Sequence, residues 1–137
     1  MIKKLELIIY MRKMKPKLSV IIPVYNEEKD ILECLKSLCE QTIKNFEIII
    51  IDDGSKDKTL KIVEKFKKDN KKTEIKILKQ QHKGPGTARN LAASNATGEI
   101  LILIDADMTF DKDYLQKLIK PILNDKTGKI VGTTHEL

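Results

Sequence analysis

Apolar residues recur along this chain in short runs that alternate with stretches of helical periodicity. The runs predict strands at 18–22, 46–51, 74–78 and 100–104, and a further strand at 129–132. The first, second and fourth runs are apolar except for Ser19 and Glu47, which is typical of strands covered on both faces, whereas the third alternates.

Helical spacing of apolar residues fills the segments between the strands. We predict helices at 27–41, from about Ser55 or Asp57 as cap to Lys68, at 87–95 and at 111–124, with Pro121 kinking or ending the last one early. The first helix places a buried face on Ile31, Cys34, Leu35 and Leu38. Strands that alternate with helices predict an α/β fold with a mainly parallel sheet and helices on both faces.

A length of 137 residues suits one domain. We expect residues 17–137 to form it and residues 1–16 to be an N-terminal extension. The extension is basic, and its apolar run at 5–11 is interrupted by Glu6 and too short to span a bilayer. Two interpretations stay open: a product of an upstream start codon, or a weak anchor at a membrane surface.

Composition limits the classes of binding partner and the cellular compartment that we expect. The net charge of +6 comes almost entirely from Lys, which fits either a solvated surface or attraction to polyanions such as nucleotide diphosphates. With 4% aromatic residues and no Trp, a stacking platform for nucleic acid is not expected. Cys34 and Cys39 have no CxxC spacing, so we predict a reducing cytoplasm, with peripheral contact at the inner membrane face as the alternative.

Polar clusters follow the predicted strands. The first strand leads into Pro23, Tyr25 and Glu27, the second into Asp52 and Asp53, and the fourth into Asp105 and Asp107. Since ligands bind beyond the carboxyl ends of parallel strands, these clusters are expected to meet. Asp105 and Asp107, two residues apart in extended backbone, point the same way and predict a Mg²⁺ or Mn²⁺ site completed by diphosphate oxygens.

A glycine-rich loop before the third helix favours an anion. Gly84 and Gly86 let backbone approach a ligand, and Arg89 offers a planar fork in a chain that uses Lys almost everywhere else. A structural clamp from Arg89 to Asp105 or Asp53 is the alternative role. Dinucleotide-binding and Walker A patterns do not fit this loop, and a response-regulator receiver leaves Tyr25 and Arg89 without a role.

Taken together, four motifs resemble glycosyltransferase family 2. They are SVIIPVYNE at 19–27, IDDGS at 51–55, GTARN at 86–90, and Gly98-Glu99 followed by IDAD at 104–107. The resemblance covers about residues 18–131. It implies a GT-A fold and a nucleotide-diphospho-sugar donor, usually a UDP- or GDP-sugar, used by a metal-dependent, inverting transferase.

The resemblance also implies roles for single residues. Pro23 and Tyr25 would lie near the nucleobase and Glu27 near the ribose, while Asp53 would accept a hydrogen bond from the imide nitrogen of the base. Arg89 would lie by the nucleotide. Asp105 would contact ribose or metal, and Asp107 would ligate the metal that bridges the diphosphate.

The chain departs from the family pattern after residue 107. Family members continue further, into the part that contacts the acceptor, so we expect a C-terminally incomplete fold and name no catalytic base. The acceptor stays open among a glycan, a lipid phosphate and a protein. The alternative function is a non-catalytic nucleotide-sugar-binding module, or a half-enzyme that needs a partner chain or an oligomer. A nucleotidyltransferase is disfavoured because residues 24–27 are not the basic, glycine-rich loop it requires.

Overall fold

The computed structural model describes residues 3–6 and 16–124. Strands and helices alternate from Leu18 onward. The strands are β1 (Leu18–Val24), β2 (Phe46–Asp52), β3 (Glu74–Lys79) and β4 (Ile100–Leu103), and the helices are α1 (Ile31–Cys39), α2 (Thr59–Asp69), α3 (Pro85–Asn95) and α4 (Tyr114–Asn124). Within these residues no helix is both long and apolar enough to cross a bilayer.

The four strands form one parallel sheet in the order β3-β2-β1-β4. The chain moves outward from β1 through β2 to β3 and then returns to place β4 on the other side of β1. The order therefore reverses at β1. In register, Val24 lies opposite Asp52, and Asp52 lies opposite Lys79, so the carboxyl ends of β1, β2 and β3 are level.

Helices cover both faces of the sheet, as the sequence predicted. On one face the predicted stripe of α1 is fully buried and packs with residues of α2 and α4, including Val63, Phe66 and Leu115. On the other face Ala88 and Ala92 of α3 pack against Ile21, Ile49 and Ile51. The small alanine side chains let α3 lie close to β1 and β2, which fixes the loop before α3 at the carboxyl edge of the sheet.

The predicted elements are correct in type, and their bounds shift. The first helix begins at Ile31 rather than at residue 27, because residues 26–28 belong to a loop that is bonded to the loop after β2. The third helix begins two residues early, at Pro85, whose fixed φ suits a first helical position. The last helix begins at Tyr114 and continues past Pro121 to Asn124, so early termination was wrong. The predicted strand at 129–132 lies outside the described residues.

The N-cap position of α2 is Lys58, which makes no side-chain capping bond, so the predicted cap at Ser55 or Asp57 was wrong; Asp57 lies one residue earlier and bonds the first residue of the helix. The helix begins at Thr59, and its backbone N–H donates to Asp57 Oδ1 at 2.9 Å. Asp57 Oδ2 accepts the backbone N–H of Glu28 at 3.2 Å. One carboxylate thus bonds both the first residue of α2 and the loop that follows β1.

A buried carboxylate locks the amino-terminal end of the sheet. Glu47 of β2 is fully buried, and its Oε1 accepts the hydroxyl of Ser19 at 2.6 Å and the backbone N–H of Thr97 at 2.7 Å. Its Oε2 lies 2.8 Å from Lys76 Nζ. Burial by itself raises the pKa of Glu47, but these donors outweigh it and lower the pKa to about 2. Three strands and the turn after α3 are joined through this side chain.

A buried amide holds the segment that follows β4. Gln41, just past α1, donates from Nε2 to the carbonyl oxygen of Asp111 at 2.6 Å and accepts the backbone N–H of Leu115 at 3.0 Å. The first turn of α4 is therefore bonded to the end of α1. This places the polypeptide after Asp107 on the same face as α1 and α2.

Candidate functional site

The carboxyl ends of the strands enclose an open cleft of about 500 Å³. It lies beside β1, where the strand order reverses, which is the usual ligand position in open α/β sheets. Every residue for which the family resemblance implied a role lines this cleft: Pro23, Tyr25, Glu27, Asp53, Arg89, Asp105 and Asp107. The four polar segments thus converge at one place, and the roles of these residues toward a ligand stay predictions.

Two loops at the cleft are bonded to each other through Asn26. Its backbone is left-handed, with a φ of 51°, a conformation that Asn tolerates better than most residues. The backbone N–H of Asn26 donates to Ser55 Oγ at 3.0 Å, and its Oδ1 accepts the N–H of Lys56 at 2.9 Å. This turn exposes Tyr25 and directs it toward the cleft it lines. Sequence reasoning did not assign Asn26 a role.

Asp53 organises the loop between β3 and α3. Its Oδ1 accepts Gln80 Nε2 at 2.7 Å and the backbone N–H of Lys83 at 2.8 Å, while its Oδ2 accepts the N–H of Gly84 at 3.0 Å. Burial raises the pKa of Asp53, but these bonds outweigh it and lower the pKa below its ordinary value. Asp53 is therefore a carboxylate at neutral pH.

The sequence could not show how closely the loop between β3 and α3 approaches Gly54. Gly54 has a φ of +84°, and a Cβ there would lie 3.2 Å from the backbone nitrogen of His82. A side chain at position 54 would push the loop away from Asp53. Glycine is therefore required at position 54 for two reasons: the left-handed backbone conformation and the close approach of His82.

Negative charge accumulates at the other side of the cleft. Burial raises the pKa of Glu27, and the nearby carboxylates of Asp107 and Asp105 raise it further. Arg89 faces this group, with Nη2 3.8 Å from Asp105 Oδ1. The predicted alternative, a clamp from Arg89 to Asp105, is therefore present as a long ion pair and does not exclude a ligand role.

This group of acids fits a divalent cation that is shared with a ligand. Among the described residues, no cluster of three or more His, Cys, Asp and Glu side chains is arranged to hold a metal alone. Mg²⁺ is commonly bound by one or two carboxylates, with substrate phosphates completing the shell. Crowded carboxylates, which keep the pKa of Glu27 raised, match that arrangement.

One cleft residue was not expected to take part. No role was assigned to His82 from the sequence, yet its imidazole stacks on Tyr25 with ring centroids 4.1 Å apart and an angle of 28° between the planes. Its Nδ1 also lies 3.0 Å from Asp53 Oδ2. Its position two residues before Gly84, in the loop that follows β3, was the available signal.

Comparison with known proteins decides the family. The model of glycosyl transferase family 2 matches residues 19–136, most of the chain. The chain belongs to glycosyltransferase family 2. This family 2 chain is 44% identical over 104 residues to an uncharacterised glycosyltransferase of Rickettsia conorii, and the match covers 76% of this chain and 17% of the relative.

Solved structures of two sugar transferases share the fold. Staphylococcus aureus TarS, a poly(ribitol-phosphate) beta-N-acetylglucosaminyltransferase, was solved as residues 1–349 in complex with UDP-GlcNAc. It superposes with a TM-score of 0.67 at 40% identity, covering 74% of this chain and 30% of that one. The mannosyltransferase PcManGT of Pyrobaculum calidifontis, in complex with GDP-Man and Mn²⁺, gives a TM-score of 0.73 at 28% identity, covering 77% and 33%. The predicted GT-A fold is confirmed, and the chain spans a third or less of the length of these relatives.

Proposed function

We propose that this chain is the donor-binding domain of a metal-dependent, inverting glycosyltransferase that uses a UDP- or GDP-sugar. One observation carries the proposal: seven residues from separate strand ends line a single cleft that pairs a stacking surface with clustered carboxylates and an arginine. Structural relatives bound to UDP-GlcNAc and to GDP-Man support a nucleotide-sugar as the donor. The family match over residues 19–136 supports a domain at 17–137, and the free thiols of Cys34 and Cys39 support a reducing cytoplasm.

The nucleobase is assigned to the side of the cleft near Tyr25. Tyr25 is 39% exposed and offers an aromatic face for stacking, and Pro23 continues this surface. Asp53 lies at the edge of the same face as an ionised carboxylate, so it accepts an N–H and rejects a base that presents only an acceptor there. Uracil and guanine each carry a ring N–H that suits it.

The sugar-phosphate part is assigned to the acidic side. Glu27 and Asp105 would accept hydrogen bonds from ribose hydroxyls, and Asp105 and Asp107 would hold the cation. Arg89 would donate to the nucleotide phosphates; its Nε is buried and has no hydrogen-bond partner among the described residues. When bound, Mg²⁺ or Mn²⁺ neutralises the charge that grows on the leaving diphosphate.

We place the sugar at the outer side of the cleft. A diphosphate between Arg89 and Asp107 would point its sugar outward, past the tip of β4, because the base end is closed by the loop that Asp53 holds. The acceptor hydroxyl would then approach from the side beyond Asp107. Its direct displacement of the diphosphate inverts the configuration at the anomeric carbon.

Thermal unfolding tests the proposal. UDP or GDP should raise the melting temperature of the full chain only when Mn²⁺ or Mg²⁺ is present, since binding to the folded state alone stabilises it. Asp107→Ala should abolish the difference in nucleotide stabilisation between samples with and without the metal. Glu33→Ala, which changes a carboxylate 65% exposed on α1, should leave it intact. Metal dependence that survives Asp107→Ala, or no stabilisation by either nucleotide, would refute the assignment.

A further inference from the structure

We propose that the His82 imidazole occupies the nucleobase position of the ligand-free cleft, and that a nucleotide must displace it to bind. The inference rests on the proposed function, and it assigns a specific competitor to the same site. It starts from two contacts that a bound base would also make. The imidazole stacks on Tyr25 at 4.1 Å, and its Nδ1 lies 3.0 Å from Asp53 Oδ2.

Counting the acceptor positions of Asp53 shows why both cannot bind at once. An ionised carboxylate has about four lone-pair positions. Gln80, Lys83 and Gly84 use three of them. His82 Nδ1 lies 3.0 Å from Oδ2, beside the remaining position, and its hydrogen bond goes to the carbonyl oxygen of Asp53 at 3.2 Å. The imidazole therefore blocks the remaining position of the carboxylate until it leaves.

The stacking surface leads to the same conclusion. Ring centroids 4.1 Å apart leave no space for a third ring between Tyr25 and His82. A base that stacks on this face of Tyr25 must take the place of the imidazole. Because the Asp53 oxygens near Nδ1 can only accept hydrogen bonds, Nδ1 must carry the hydrogen, just as the ring nitrogen of uracil or guanine does.

Only the side chain needs to move. The backbone around His82 is fixed, because the N–H groups of Lys83 and Gly84 donate to Asp53 and Gly54 lies against the backbone nitrogen of His82. The His82 side chain is 60% exposed, so rotation into solvent is open to it. The loop therefore stays on Asp53 while the imidazole and the base exchange.

The energetic consequence is a uniform loss of affinity for ligands that carry a base. A site whose competent form is only a fraction of the population binds more weakly by that fraction. One stacked pair and one hydrogen bond to a backbone carbonyl correspond to a weakening on the order of tenfold. Pyrophosphate with Mn²⁺ occupies the acidic side alone and escapes this effect. Release of the nucleotide product is favoured by the same competition.

Calorimetry on the full chain with Mn²⁺ tests the competition. His82→Ala should bind UDP on the order of tenfold more tightly than the wild type and bind pyrophosphate equally well. His82→Gln, which keeps a hydrogen-bond donor but loses the ring, should fall between them. Far-UV circular dichroism verifies that each variant is folded. Equal or weaker UDP binding by His82→Ala would overturn the inference.

A second measurement uses the wild-type protein. The sequence has two histidines, so His82 ring protons are readily resolved by NMR. A nuclear Overhauser effect between the rings of His82 and Tyr25 should be present without ligand and lost at saturation with UDP. Persistence at saturation would refute displacement while leaving the proposed function standing. If neither UDP nor GDP binds the wild type or the folded variants, the proposed function itself fails.

Discussion

Replacing Glu47 with Gln removes a buried charge while nearly preserving the shape of the side chain. Glu47 is fully buried at the amino end of the sheet, opposite the cleft, and accepts hydrogen bonds from Ser19 and Thr97 beside its ion pair with Lys76. A Gln at this position leaves Lys76 without its buried charged partner. It also replaces one acceptor oxygen with an amide N–H₂ group, which then faces other donors. The variant is expected to fold less stably and to keep its cleft.

The size and sign of the effect follow from the pKa of Glu47. It falls from 4.5 to about 2 on folding, which corresponds to about 3 kcal/mol of stability at neutral pH. Because the folded-state pKa is the lower one, this contribution is fully present above 4.5 and is lost as the pH falls from 4.5 toward 2. The cost of Glu47→Gln should shrink over the same range.

Urea unfolding, followed by circular dichroism at pH 7 and at several values down to pH 3, measures this cost. Glu74→Gln is the matched control, since Glu74 contacts Lys17 and Lys76 but is 49% exposed, and its loss should cost less than about 1 kcal/mol. A cost for Glu47→Gln below about 1 kcal/mol at pH 7 would refute the reasoning. So would a cost that does not change with pH.

Three further predictions use matched positions in the chain. Gly98→Ala should destabilise by about 1–3 kcal/mol in thermal unfolding, because its Cβ would meet Ser19 Oγ at 2.5 Å and Ser19 N at 2.6 Å, whereas Gly86→Ala, with open space around it, should be neutral or slightly stabilising; equal effects would contradict this. Asn26→Ala should cost about 1 kcal/mol more than Asn26→Gly, because both lose the bond to Lys56 but only Ala resists a φ of 51°; equal midpoints in urea would argue against strain there. Burial raises the pKa of the Cys34 thiol to about 12, so native protein at pH 8 should be alkylated by iodoacetamide at Cys39 and not at Cys34, and rapid modification of Cys34 seen by mass spectrometry would show that α1 opens.

The sheet and its helices could be predicted because their signal is local. The apolar run at 46–51 and the stripe on α1, with its period of 3.6 residues, are both visible in the sequence. The bounds of α1 and α3 could not be predicted as well. They depend on the bond between Asn26 and Lys56, and on Pro85 as a first helical residue, which compete with periodicity.

The candidate cleft could be located because parallel strands deliver their carboxyl ends to one edge. The stacking of His82 on Tyr25 joins residues far apart in sequence, and no pattern within either segment encodes it. The role of Glu47 left one trace, an acid inside the apolar run of β2. Its partners Ser19, Lys76 and Thr97 come from three other segments and become visible only once the strand order is known.

The position of β4 has a mechanical consequence for the acidic side of the cleft. Within the described sheet β4 pairs only with β1, over four residues, so Asp105 and Asp107 extend from the strand with the fewest ladder hydrogen bonds. The distance between these two carboxylates and the rest of the cleft is therefore held by the fewest bonds. Amide exchange should be faster in β4 than in β1. A strand added to the outer edge of β4 would hold that distance more firmly, and cation affinity would rise without any new ligand atom.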